Sequence, residues 1–96
     1  MKIEFDPDKD AINRHKHELS LGDAEHMDFG AAIYRSDGRY DYGEDRTRAL
    51  GLIDGRPHML VFTMRGDVLR AISLRKANSR EVRRYDEEAG AATGRF

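Results

Sequence analysis

Four cations stand near the ends of neighbouring predicted strands in this chain: Arg46, Arg65, Arg75 and Lys76. Arginine's planar fork matches two phosphate oxygens at once, so a sheet that gathered these four could hold a phosphodiester and stabilise charge developing on it. His58 opens the strand between them beside Arg56, and an imidazole titrates in the range that a proton carrier needs. Simple packing is the competing reading of His58. Phe62, Arg56, Arg80 and Tyr85 complete the candidate set as substrate contacts. Tyr85 also falls on the apolar stripe of a predicted helix, and Arg80, Arg83 and Arg84 lie close to Glu87 and Glu88, as helical surface partners do. The basic strand ends read equally well as solvated charges that balance an acidic N-terminus.

The net charge of −1 hides that imbalance. Residues 1–28 carry eight acids against four bases, whereas residues 65–84 carry seven bases against two acids. A basic block alternating with apolar residues suits an anionic partner such as nucleic acid or an acidic protein segment. Other chemistries lack their residues. There is no cysteine, which excludes disulfides, thiolate metal sites and a cysteine nucleophile. His15 and His17, two apart on a predicted helix, point in nearly opposite directions, and no third ligand stands at zinc-like spacing, so no metal is expected. Neither glycine-rich nucleotide fingerprint is present, and no cofactor is expected. The N-terminus "MKIEFDPDKD" puts acids where a signal peptide needs an apolar run, and no window approaches the roughly 20 apolar residues of a membrane span, so a cytoplasmic protein without membrane contact is expected.

At 96 residues one domain is expected, with 90–96 a frayed tail. "KIEF" alternates as a strand; Asp6 and Pro7 then start a helix to about His17, with Ala11, Ile12, His15 and Leu19 as its inward stripe. Ser20 caps a short second helix that carries Leu21, Ala24, Met27 and Phe29, with Gly30 as its stop. "AAIY" begins a strand, and "RSDGRYDYGED" is a polar turn. "RTRALGLI", "HMLVFTM" and "VLRAISL", joined at Asp54-Gly55 and Arg65-Gly66-Asp67, should form an antiparallel meander with "HMLVFTM" central. In the last strand Val68, Ile72 and Leu74 should share one face. Asn78 and Glu81 form a capping-box pattern for a final helix from about Ser79 that buries Val82, Tyr85 and Ala89. The expected class is α+β, with two N-terminal helices and a C-terminal helix packed on the sheet.

Three passages together resemble the BrnT family of toxins from bacterial type II toxin–antitoxin systems. "FDPDKDAINRHKHELSL" places Phe5-Asp6, Lys9, Asn13 and Lys16-His17 on that family's "FD..K...N..KH" opening. "EDRTRALGLIDGR" is similar to its strand and turn, and "VFTMRGDVLRAISLRKANSREVRRY" to its arginine strand and terminal helix. The likeness runs to Tyr85. It implies a RelE-like fold with an antiparallel sheet of about four strands. It also implies a metal-independent ribonuclease that inhibits translation and is neutralised by a BrnA-like ribbon-helix-helix antitoxin. Such a toxin would be a hetero-oligomer that meets operator DNA only through the antitoxin. Carried over by residue, activity would lie with Arg46, Phe62, Arg65, Arg75 and Lys76, Arg65 foremost. The chain departs from the family at Thr47, where an aromatic is common, and at Glu18, where a glycine is common. The missing aromatic removes a base-stacking surface. Two rival readings follow: a non-catalytic binding module for an antitoxin or nucleic acid, and an inactive toxin homologue.

Overall fold

The computed structural model describes residues 1–38 and 43–93, with side chains described as far as residue 89. Strand β1 (Lys2–Glu4) leads into helix α1 (Pro7–His17), and 3₁₀ turns follow at Leu21–His26 and Phe29–Ala31. Strands β2 (Ile33–Ser36), β3 (Thr47–Ile53), β4 (Arg56–Arg65) and β5 (Val68–Lys76) then precede helix α2 (Ser79–Thr93). All five strands form one sheet in the order β1-β5-β4-β3-β2. The meander β3-β4-β5 is antiparallel with β4 inside it, as expected. The expected RelE-like sheet of about four antiparallel strands is corrected by β1, which lies parallel to β5 with Lys2 opposite Val68. No hairpin joins β1 to β5, so nothing forces them antiparallel, and Ile3 and Phe5 reach the core that holds Leu69. Both hairpins turn where expected. Asp54 and Gly55 both have positive φ (52° and 75°), while Gly66 (φ 64°) alone does so in the second turn. The polar turn expected over 35–45 is strand at Arg35 and Ser36, and residues 39–42 of it lie outside the described residues. The expected frayed tail is helical through Thr93, and 94–96 lie outside the described residues. No helix among the described residues is long and apolar enough to cross a membrane.

Helix α1 begins and ends where the sequence placed it, but its buried stripe is polar. Asp6 caps it by accepting from Asp8 N–H at 2.8 Å. It stops because Glu18 turns left-handed (φ 59°) and donates its N–H to Arg14 O at 2.9 Å. That conformation costs a residue with a Cβ more than it costs glycine, which accounts for the glycine common at this place in the resembling family. The buried residues of α1 are Asp10 and Asn13, while Ile12 is 61% exposed, so the predicted apolar stripe is corrected. Asn13 Nδ2 donates to Leu19 O (2.8 Å) and Leu74 O (2.9 Å), and its Oδ1 accepts from Leu74 N–H (3.0 Å). β1 pairs β5 only as far as Arg70, so this amide stands in for a neighbouring strand on the open edge beyond it. Asp10 accepts from Leu21 N–H (2.7 Å) and Ser20 Oγ (3.0 Å), which fixes the next segment against the helix. The expected second helix is instead six residues of 3₁₀ and a separate three-residue turn, with the Ser20–Asp23 capping box present.

The two sheet faces carry different cores. Ala49, Leu60, Phe62, Leu69, Ala71 and Leu74 meet Leu21, Ala24 and Met27 on one face. Gly51 leaves room there for Met27, whose Cγ would lie 2.9 Å from any added Cβ. On the other face Leu50 and Met59 pack against Tyr85 of α2. In β5, Ser73 opposes Val61 and Ala71 opposes Phe62, so Ile72 is the additional residue of a bulge. Alternation resets at that point, which corrects the expected grouping of Val68, Ile72 and Leu74.

Two outcomes test this scaffold. Asn13→Leu should lower unfolding free energy by about 2–4 kcal/mol in urea titration, because it leaves three backbone groups unpaired. Asp10's carboxyl is held below its ordinary range, chiefly by the Leu21 N–H and then by Ser20 and Arg14, against the opposing effect of burial. Its contribution is therefore complete above the unfolded carboxyl's range near pH 4 and disappears as pH falls through the lower folded value. Asp10→Asn should flatten the acid limb of Tm against pH, and an unchanged limb would refute that role.

Candidate nucleic-acid interface

Strand alternation decides which cations can act together. Arg48 opposes Val61, which opposes Ser73, and Arg35 opposes Arg48, forming one row on the α2 side of the sheet. Two residues from that row lie Arg46, Thr63 and Arg75, and four residues along β4 lies Arg65, so these share the face with Arg35 and Arg48. Phe62, His58 and Lys76 alternate to the other side, where His58 opposes Lys76 across β4 and β5. Arg56 and Lys76 border cavities of about 580 and 590 Å³ around the Asp54-Gly55 hairpin, the first also lined by His58, His26 and Asp23. From His58 to Arg65 is seven residues of β4, about 23 Å at strand rise. The predicted cations therefore do not form one pocket. Arg46, Arg65 and Arg75 share a face, whereas Lys76, Arg56 and His58 belong to the opposite face and far end.

Three of the predicted site residues are buried. Phe62 is a core residue, 7% exposed, with its ring edge-on to Tyr34 at 6.4 Å. Tyr85, on the buried side of α2, donates its hydroxyl to Ala31 O at 3.1 Å; burial, and then Asp28 and Asp86, push its phenol up. His58 is buried, with Nδ1 2.7 Å from Arg56 O.

On the arginine face most guanidiniums meet a carboxylate. Arg75 binds Glu81 through both oxygens (2.8 and 2.9 Å), and Arg35 binds Glu88 likewise (2.9 and 3.0 Å). Arg70 binds Glu4 at 2.7 Å. At the strand ends Glu44 lies 3.4 Å from Arg46 and 3.9 Å from Arg65. Glu81 also accepts from Asn78 N–H, and Asn78 Oδ1 accepts from Glu81 N–H, completing the predicted capping box. Arg75, then the Asn78 N–H and the charge of Arg84, hold the Glu81 carboxyl below its ordinary range.

Arg48 and Arg84 differ from these. Both are half-buried, and the Nε of each is buried with no hydrogen-bond partner among the described residues. With Asn78, Arg80, Glu81 and Arg83 they line a groove of about 470 Å³ over the half of the face that α2 leaves open. A guanidinium N–H withdrawn from water without an acceptor is costly, so this groove offers two donors to an anion. Sequence reading missed Arg48 and treated Arg84 as solvated; the signal available was the period-two spacing that puts Arg46 and Arg48 on one side of β3. Among the described residues no group of three or more His, Asp or Glu is placed to hold a metal.

Residues 5–81 match the family described as "Ribonuclease toxin, BrnT, of type II toxin-antitoxin system". The chain belongs to the BrnT family. It is similar to the crystal structure of the ribonuclease toxin BrnT of Brucella abortus, at 30% sequence identity and a TM-score of 0.64, over 82% of this chain and 99% of that one. No curated protein matches it. The match covers strands β2 to β5 and reaches Glu81, so it includes Arg48 and the capping box of α2, while β1, Arg83 and Arg84 lie outside it.

If Arg48 is held for a ligand at a cost in stability, removing its charge should stabilise the free protein. Arg48→Met is expected to raise unfolding free energy by about 0.5–1.5 kcal/mol while weakening RNA binding. Denaturation and filter binding on one preparation measure both, and destabilisation with unchanged binding would refute the assignment.

Proposed function

We propose that this BrnT-family ribonuclease toxin holds the scissile phosphate of RNA in the groove of Arg48, Arg80, Arg83 and Arg84 and cleaves it without a metal. The observation that carries this reading is the pair of half-buried guanidiniums, Arg48 and Arg84, whose Nε atoms lack partners among the described residues. The ribose 2′-hydroxyl attacks its adjacent phosphorus, and guanidinium forks bind the extra negative charge that appears as the phosphorus becomes five-coordinate. Arg75, fixed by Glu81, adds positive potential from the neighbouring strand, and Arg46 and Arg65 at the strand ends receive the flanking backbone phosphates. Among the described residues no aromatic lines the groove, in keeping with Thr47, so it grips the backbone rather than stacking bases. Its partner in the cell is a BrnA-like ribbon-helix-helix antitoxin that forms a hetero-oligomer with it and supplies any contact to operator DNA. The cytoplasm, where messenger RNA is translated, is the compartment this activity requires.

Cleavage of single-stranded RNA in EDTA, leaving a 2′,3′-cyclic phosphate end, is the expected result. Arg48→Ala and Arg84→Ala should each slow it about 10²-fold or more, with a shallower dependence of binding on salt. Arg56→Ala, at the far end, should cleave close to wild type. Tight RNA binding without cleavage by the wild type would instead favour the non-catalytic module, and EDTA-sensitive cleavage would refute metal independence.

A further inference from the structure

One stripe of α1 is used neither by the scaffold nor by the arginine groove, apart from the Asn13 at its centre. Lys9, Ile12, Asn13 and Lys16 recur at helical spacing and so lie along one side of the helix. Asn13 is buried against β5, whereas Lys9, Ile12 and Lys16 are exposed, Ile12 by 61%. Among the described residues neither lysine meets a carboxylate, and Asp10, the buried acid of α1, is bound to Arg14 at 3.0 Å. A lone exposed aliphatic is ordinary; one set between two unpaired cations at the mouth of a groove is a more specific arrangement.

That groove, about 180 Å³, has Lys9, Lys16 and His17 of α1 on one side and Ile72 and Ser73 of β5 on the other. It lies on the β5 edge past Arg70, where β1 no longer pairs and no other strand runs alongside among the described residues. Its field is positive: burial, then the charges of Lys16 and Arg75, hold the His17 imidazole below its ordinary range. β4 separates it from Arg48 on β3.

These features select the occupant. Small-molecule sites enclose about 300–1,000 Å³, so this groove is sized for one side chain of a longer partner lying across α1. Lys9 and Lys16 are about 10 Å apart along the helix axis, a span that about three residues of extended chain cover. A phosphate backbone would match the lysines but leave Ile12 in water between them. An acidic peptide with an apolar side chain matches all three.

Resting on the toxin–antitoxin reading above, though not on the arginine groove, we infer that this stripe docks an extended acidic segment of the antitoxin. Its carboxylates meet Lys9 and Lys16, and its apolar side chain covers Ile12 and enters the groove over Ile72. The main-chain groups of the β5 edge lie beside such a segment, as they do where extended peptides join a sheet.

Binding is followed by fluorescence anisotropy with two probes, a purified BrnA-like antitoxin and a short synthetic peptide of glutamates around a central leucine. Wild type should bind both, more weakly as salt rises. Lys9→Glu/Lys16→Glu should weaken both about tenfold or more, Lys9→Gln/Lys16→Gln should do so to a smaller extent, and Ile12→Ser should cost about threefold or more. Tm, RNA affinity and RNA cleavage should stay close to wild type in all three, because these side chains are exposed and outside the arginine groove. Antitoxin affinity unchanged by Lys9→Glu/Lys16→Glu, or a wild type that binds neither probe, would overturn the inference. So would RNA affinity lost in that variant with peptide binding intact, which makes the stripe part of the RNA path, or self-association of the wild type abolished by Ile12→Ser, which makes the occupant a second copy. A wild type that cuts no RNA, beside antitoxin binding lost on charge reversal, would refute the ribonuclease reading and leave the docking surface standing. Intact cleavage with antitoxin binding untouched by the reversal refutes the docking surface alone.

Discussion

The structure depends on one side chain solving a strand-edge problem. β5 has β4 on one side, but β1 covers its other side only opposite Val68, Leu69 and Arg70. Further along, Leu74 would present an unpaired N–H and C=O inside the core. Asn13 meets both with one planar amide and uses its remaining donor on Leu19 O. That arrangement fixes the distance between α1 and β5 and anchors the chain as it leaves α1. Asp10, one turn earlier, does the same for the 3₁₀ segment through Leu21 and Ser20. A helix held to a sheet by an amide and a carboxylate has its orientation set by hydrogen-bond geometry as well as by packing. The groove between α1 and β5 therefore has well-defined walls.

The opposite face follows a second constraint. β3, β4 and β5 each alternate, and α2 covers only the part of the face that holds Leu50 and Met59. What extends beyond it is a row of positions with half a roof. Apolar side chains there would make an exposed sticky sheet; long arginines bury their stems on the pleat and keep their forks near water. Most are then neutralised by nearby carboxylates. Among the described residues the buried Nε atoms of Arg48 and Arg84 keep no acceptor, and the cost of leaving them so is what distinguishes a site from a solvated surface.

Much of the fold was legible because it rests on local signals. Asp6-Pro7, Asp54-Gly55, Gly66 and the Asn78–Glu81 box each act within a few residues, and each is found as read. The failures involve partners distant in sequence. Nothing local to Ile12 says that it is exposed while Asn13 is buried; that is decided by Leu74, 61 residues on. Nothing in "VLRAISL" marks Ile72 as a bulge, because the strand opposite determines it. The expected gathering of the cations in one pocket is absent among the described residues for a related reason. Proximity of strand ends was inferred from charge, while the face each side chain occupies was not followed through β4, and a single step of parity separates Arg75 from Lys76.

Glu81 shows how these layers are joined. Its carboxylate accepts the Asn78 N–H that starts α2 and grips Arg75 on β5 with both oxygens. One residue thereby ends the sheet's last strand, begins the helix and sets the helix's rotation against the face. Arg80, Arg83 and Arg84 are projected from the turn that carries Glu81, so their approach to Arg48 is set by the same carboxylate. Because Arg75 holds that carboxyl below its ordinary range, the joint stays ionised well into acid, and the geometry of the open half of the face is insulated from pH across the range where an imidazole titrates. Any pH dependence near neutrality must then come from a group outside this joint.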